Sequence, residues 1–325
     1  MRWTIALALC AACGSDPGGG GGDAGPGDDD GGGGGQDAGD PEDGPISLDG
    51  TCAMGTAIGT FVVEAQDEFS LVDGAVADGV VPVSILEEVG REGDCVLWRR
   101  NNPFCDPPCL AGDTCDHDGQ CIPFPANQDV GTVTVTGLAE PVEMTPLQPG
   151  NRYSFTDLPN PAFAPGAEIR LRSSEGTYGR LALDGRGFSP LLPGDDTWLL
   201  APGQALAVHW DAAGAAEGTR VGLRITVDQH GNTPVTLSCD VPDTGSAQIA
   251  ASLVDALLDA GISGFPNGRI TRATTDRADV RDGCVELRVG SPRSVDVRVD
   301  GHIPCDNADE CPEGQTCDLA ENTCR

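Results

Sequence analysis

The sequence predicts an all-β fold: an antiparallel β-sandwich with one short helix and two small disulfide-rich modules. Three observations carry this. Apolar and polar residues alternate in short runs such as Val221-Gly222-Leu223-Arg224-Ile225-Thr226-Val227 and Val295-Asp296-Val297-Arg298-Val299, the period of a half-buried strand. The 46 Gly and 25 Pro punctuate these runs as turns would. Four cysteines fall in each of two windows of about twenty residues. A window that short cannot build a core and needs cross-links.

Taken in order, residues 1–13 read as a secretory signal. Arg2 precedes the apolar run Thr4–Leu9, and small residues lead to a break at Gly14. The run is far shorter than the roughly 20 apolar residues that span a bilayer. Its ending, Ala11-Ala12-Cys13-Gly14, resembles the lipobox of bacterial lipoproteins, with Cys10 where an aliphatic residue is usual. The resemblance implies acylation of Cys13. Gly14, rather than Asp, after that cysteine implies the outer membrane or cell surface of a Gram-negative cell. An ordinary signal peptide cut nearby is the other reading.

Residues 14–45 hold nine acids and no base among Gly, Ala and Pro. Such composition cannot bury enough apolar surface to offset ordering entropy, so a disordered linker is expected. As a flexible chain it would hold the body about 30 Å from its anchor. The glycine run 18–22 lacks the strand and helix that a phosphate loop requires.

Residues 46–100 read as a small β region belonging to a larger sandwich. Strands are expected at Thr60–Val63, Ser70–Val72, Val80–Val83 and Cys95–Trp98, with Asp73-Gly74 and Asp78-Gly79 as hairpin turns. Cys52 and Cys95 lie near its ends and are expected to bridge. Residues 125–303 form the main sandwich. Its one helix is expected over Ala247–Ala260, capped by Ser246 and ended by Gly261. Cys239 and Cys284 flank that helix and are the second expected long bridge.

The modules span 101–124 and 304–325. The first reads Cys105-x3-Cys109-x5-Cys115-x5-Cys121 and the second Cys305-x5-Cys311-x5-Cys317-x6-Cys324, with Gly-x-Thr-Cys in both. They resemble EGF-like or Dickkopf-type cysteine-rich modules. Four cysteines allow three pairings. The pairing expected in each copy is first with third and second with fourth. Asp116-His117-Asp118-Gly119 looks like a fragment of a calcium loop but lacks the other acidic ligands; a plain turn is expected and no metal.

Composition narrows function. A formal charge of −32 disfavours nucleic acid. All 19 basic residues are arginine, which excludes Schiff-base lysine chemistry and any phosphate loop that needs lysine. Fourteen cysteines fit an oxidising compartment. With Cys10 removed and Cys13 acylated, twelve remain, an even number, and they show neither the CxxC pairs nor the His partners of zinc sites.

Asp243-Thr244-Gly245-Ser246 matches the catalytic loop of aspartic proteases, which resemble this stretch alone. Those enzymes share one proton between two aspartates, and no second Asp-Thr/Ser-Gly occurs. Asp, Thr and Ser before a helix are also ordinary caps. His209 beside Asp211, and His230 beside Asp228, each set one imidazole near one carboxylate. Trp98, Trp198, Trp210, Tyr153 and Tyr178 are the only Trp and Tyr beyond the leader. The function expected is therefore a non-catalytic envelope or surface lipoprotein, anchored by lipid only, binding a protein or glycan partner without a cofactor. A secreted hydrolase or a lectin-like protein is the alternative. As a whole the chain resembles secreted bacterial lipoproteins of unknown function that combine acidic linkers with cysteine modules.

Overall fold

The computed structural model describes residues 44–228 and 234–325. The leader with Cys13, the linker up to Asp43, and Gln229-His230-Gly231 lie outside the described residues. Among the described residues no helix is long and apolar enough to cross a membrane.

The first four strands are β1 (Ala57–Ala65), β2 (Ser70–Val76), β3 (Leu86–Glu92) and β4 (Cys95–Arg100). Asp73-Gly74, expected as a turn, lies inside β2. Glycine is needed there because a Cβ at residue 74 would come within 2.2 Å of the Phe61 ring on the facing strand. Asp78-Gly79 does form a bend. The Val80–Val83 run is not a strand: Pro82–Ser84 forms one turn of 3-10 helix, because proline lacks the N–H that a ladder uses.

The first module contributes the hairpin β5 (Asp113–Cys115) and β6 (Cys121–Pro123). The main body then supplies β7 (Val133–Thr136), β8 (Val142–Met144), β9 (Tyr153–Leu158), β10 (Glu168–Ser173) and β11 (Ala182–Arg186). It continues with β12 (Thr197–Leu200), β13 (Leu206–His209), β14 (Arg220–Thr226), β15 (Val235–Pro242) and β16 (Ser246–Ile249). Helix α1 (Ala251–Asp259) leads into the long hairpin β17 (Asn267–Val280) and β18 (Gly283–Val299). The second module ends the chain with β19 (Cys317–Asp318) and β20 (Thr323–Cys324).

The helix is shorter than expected. Ser246 does not cap it: Ser246–Ile249 pairs with β13 as a strand, and the N-cap is Ala250, with no side-chain cap. The residues alternate in a way that fits either state, and the free edge of β13 decides for strand. Gly261 follows the helix end at φ +118°, where a side chain would be strained.

One large sheet runs β3-β4-β15-β14-β17-β18-β1-β2-β9, with β12 also paired to β18. The strands of 46–100 and of the main body thus share a single sheet. It is mixed rather than purely antiparallel, since β1 and β12 both run parallel to β18. The runs at 285–289 and 295–299 are one continuous strand of 17 residues. Pro292 is tolerated in its middle because β1 pairs only up to Gly290 and β12 pairs only from Asp296 onward, leaving that edge unpaired.

Both cores lie on one face of this sheet. Over β1, β2 and the first half of β18, the second sheet β11-β10-β7-β8 closes a sandwich around Phe61, Val63, Val135, Ile169, Leu183 and Val289. Over β4, β15, β14 and the second half of β18, α1 and the β13–β16 pair cover Leu97, Leu223, Leu237, Ile270 and Val297. Trp198 is 1% exposed there. It fits because residue 268 is glycine: a Cβ would come within 2.8 Å of the indole.

Every cysteine of the body is bridged. Both modules pair first with third and second with fourth: Cys105–Cys115, Cys109–Cys121, Cys305–Cys317 and Cys311–Cys324. The long bridges differ from expectation. They are Cys52–Cys284 and Cys95–Cys239, not Cys52–Cys95 and Cys239–Cys284. Sheet register is the reason. Cys95 and Cys239 are direct cross-strand partners on β4 and β15, and Cys284 stands opposite the start of β1, just after Cys52.

Candidate functional site

The chemistry suggested by the sequence is largely spent on structure. Asp243 is buried in an ion pair. Its Oδ2 accepts from Arg272 Nε at 2.6 Å, and its Oδ1 accepts from Arg272 Nη2 at 3.1 Å and from Trp210 Nε1 at 2.7 Å. The side chains of Arg272 and Asp243 are 1% and 3% exposed. Arg272 also donates to the carbonyls of Ser189 and Asp211. Both carboxylate oxygens are therefore taken by cation and indole, and the protease-like motif ties three loops to β17.

His209 pairs with Asp195, Nδ1 to Oδ2 at 3.0 Å, rather than with Asp211. Asp211 instead caps the 3-10 turn Ala212–Gly214 by accepting from Ala213 N. Asp228 accepts from Ser263 Oγ. In the first module, Asp116 Oδ1 accepts from the backbone N–H groups of Asp118 and Gln120, which makes Asp116–Gly119 a turn. His117 Nε2 meets the carbonyl of Pro82 at 2.8 Å and seats the module on the body. Three sulfurs gather in each module, from Cys105, Cys109 and Cys121 and from Cys305, Cys311 and Cys317. All six are disulfide sulfurs and hold no thiolate for a metal.

Two buried carboxylates clamp the start of the body. β14 pairs with β17 only as far as Ala273, leaving the 274–280 edge open. The chain crosses there. Asp49 N donates to Asp276 Oδ1, Arg277 Nη1 donates to Thr51 O, and Cys52 N donates to Glu286 Oε1. Burial pushes the Asp276 carboxyl above its ordinary value, while the N–H groups of Asp49, Asp184 and Arg277 oppose the shift.

What remains open is the sheet's other face. Residues Val221, Leu223 and Ile225 of β14 point into the core, so Arg220, Gly222, Arg224 and Thr226 line the outside. By the same alternation Thr236, Ser238 and Asp240 of β15, and Val96 and Trp98 of β4, share that outer face. A groove of about 420 Å³ lies along it, bordered by Thr51, Arg91, Val96, Trp98, Arg220 and Ser238. A second concavity of about 410 Å³ lies on the far side of the Gly93-Asp94 hairpin, against Thr244 and Gln248. Trp198, Trp210 and Tyr153 are buried, and Tyr178 donates its hydroxyl to Ala77 O beside Arg281. Of the Trp and Tyr rings among the described residues, Trp98 is the one that borders the groove on the outer face. Its strand is legible in the sequence, but its pairing with β15, and through it with β14, is not, because those strands come from residues more than a hundred positions away.

No family model matches the chain, and no curated protein matches it. Among solved structures it is similar to the crystal structure of chicken CNTN1 FN1-FN3 domains, at 10% identity over 71% of this chain and 78% of that one, with a TM-score of 0.20. A likeness at that level carries no argument about fold or function.

Proposed function

We propose that this chain is a non-catalytic, lipid-anchored extracytoplasmic protein that binds a protein or glycan partner. The observation that supports it best is the open, polar groove beside Trp98 on a sheet stapled by Cys95–Cys239 and Cys52–Cys284. A stapled sheet presents its side chains in fixed positions, so little ordering entropy is lost on contact. Six disulfides suit an oxidising compartment. The anchor in this reading is Cys13.

The test uses the full chain expressed in a Gram-negative host. The wild type is expected in the detergent phase and Cys13→Ala in the aqueous phase. Purified protein is expected to turn over no substrate in protease, esterase and glycosidase panels. Membrane retention of Cys13→Ala overturns the anchor. Turnover that vanishes in Asp243→Asn, with the melting temperature kept, overturns the binding reading and restores the protease.

A further inference from the structure

We infer that the free edge of β16 is a docking site for an extended, basic peptide segment of a partner protein, which adds to β16 as a further strand beside Glu92 and Asp94. This site lies on the other side of the Gly93-Asp94 hairpin from the groove beside Trp98 and does not depend on that groove.

Register decides which backbone groups of β16 are free. Directly opposed residues of an antiparallel pair alternate between exchanging hydrogen bonds with each other and pointing away. Trp210 N donates to Gly245 O, so that pair is a bonded one. His209 opposes Ser246, and its own groups turn the other way: its N–H donates to Asp195 Oδ2 and its C=O accepts from Gly194 N. The phase then bonds Val208 with Ala247 and Leu206 with Ile249, and it turns the N–H and C=O of Ser246 and Gln248 away from β13. Two donors and two acceptors lie along that edge, and no strand among the described residues pairs with it. Other edges are blunted. β3 carries Glu87, Glu88, Arg91 and Glu92, with a register shift between Glu88 and Gly90. β11 gives the N–H groups of Asp184 and Arg186 to Asp276 and Thr274. β16 reads Ser-Ala-Gln-Ile, with neither charge nor proline, the kind of edge that accepts another strand.

The edge opens onto a place for a strand to lie. Ser246 and Gln248 line the concavity of about 410 Å³ together with Val241, Pro242, Glu92 and Asp94. β16 has four residues, about 13 Å of strand, and so engages about four residues of a partner. Successive side chains of an added strand point to opposite faces, which suits apolar residues against Val241 and Pro242 alternating with polar ones. The Cys95–Cys239 bridge fixes the hairpin against β15, so little ordering is needed before contact. Charge selects the occupant. Glu92 and Asp94 are exposed, Glu92 accepts from Ser252 Oγ, and neither forms an ion pair among the described residues. A basic side chain on the incoming strand supplies the cation. Residues 14–43 of this chain contain no base, and a second copy paired edge to edge would set the same two carboxylates against themselves. The fit is therefore to a separate protein with Arg or Lys at alternate positions of an extended segment.

The experiment titrates the full chain into a fluorescein-labelled hexapeptide of alternating valine and arginine, followed by anisotropy. One control peptide carries glutamate in place of arginine, and another is N-methylated at its backbone amides. Saturable binding of the arginine peptide is expected, weakening as salt rises because the two carboxylates are exposed. Both controls should bind at least about tenfold more weakly. Gln248→Pro removes one of the two free N–H groups and leaves the β13 ladder intact, so it should keep the melting temperature and cost about fivefold in affinity. Asp94→Asn should cost about threefold. Amide exchange followed by NMR should be fast at Ser246 and Gln248 and slow at Ala247 and Ile249 in the free protein, and the arginine peptide should slow the first two. Failure of that peptide to bind, equal binding of either control, unchanged affinity in folded Gln248→Pro, or bound peptide that leaves exchange at Ser246 and Gln248 unchanged overturns the site. So does slow exchange at those two residues in the free protein. Each of these results leaves the groove beside Trp98 standing. If Gln248→Pro does not fold, Asp94→Asn and the amide exchange decide.

Discussion

Replacing Asp243 with alanine removes the carboxylate that neutralises Arg272, a residue 1% exposed on its side chain. The guanidinium keeps its two carbonyl partners, Ser189 and Asp211, but loses the acceptor for Nε and one of those for Nη2. Removing one partner of a buried ion pair costs about 3–5 kcal/mol, because the other charge is left uncompensated in low dielectric. Trp210 Nε1 loses its acceptor in the same step, which by itself is worth about 1–3 kcal/mol. The two losses share one carboxylate and overlap, so the upper part of the 3–5 kcal/mol range is expected. Against total stabilities of about 5–15 kcal/mol, that is a large share. Urea unfolding with disulfides intact, followed by tryptophan emission, should show a fall in midpoint at unchanged slope. Arg272→Met combined with Asp243→Leu should cost less than the two single changes summed, by about 3 kcal/mol or more of coupling. A loss under about 1 kcal/mol in Asp243→Ala, or strict additivity in the cycle, would refute a buried, mutually dependent pair.

Non-reducing peptide mapping should return Cys52–Cys284 and Cys95–Cys239 with the four module bridges, and any Cys52–Cys95 peptide contradicts the sheet register. The two long loops close over separations of 232 and 144 residues; each is worth roughly 5 kcal/mol in the chain-entropy model taken alone, and less together, because one loop lies inside the other. Tyr153→Phe should destabilise by about 1–3 kcal/mol, since its hydroxyl accepts from the buried Val130 N at 3.0 Å and donates to Gly131 O at 2.9 Å; equal urea midpoints would show that water replaces it. Asp276 gives a pH dependence of defined sign. Its native pKa is raised by burial, so between the unfolded and native values the folded protein binds more protons, and its contribution to stability falls as pH rises. The stability of wild type relative to Asp276→Asn should therefore narrow from acid toward neutral pH, and a gap that widens would contradict the assignment.

The sequence alone determined the strand periods, the need for cross-links in both modules and the pairing expected within them. These are local properties. Alternation along Val221–Val227 and cysteine spacing within twenty residues depend only on neighbours in the chain. Tertiary structure decided everything that required knowing which strands sit side by side. Asp73-Gly74 reads as a turn until Phe61 is packed against residue 74, and Ser246–Ile249 reads as a helix start until β13 offers an edge to pair with. The long disulfides differ from those expected because closeness in sequence is not closeness in the sheet, where Cys95 meets Cys239. Asp243 shows the same limit in its chemistry: a motif states which groups are present, but only burial against Arg272 and Trp210 states that both oxygens are already bonded. The free edge of β16 follows from its register with β13, a strand distant in the chain, and no local period carries that information.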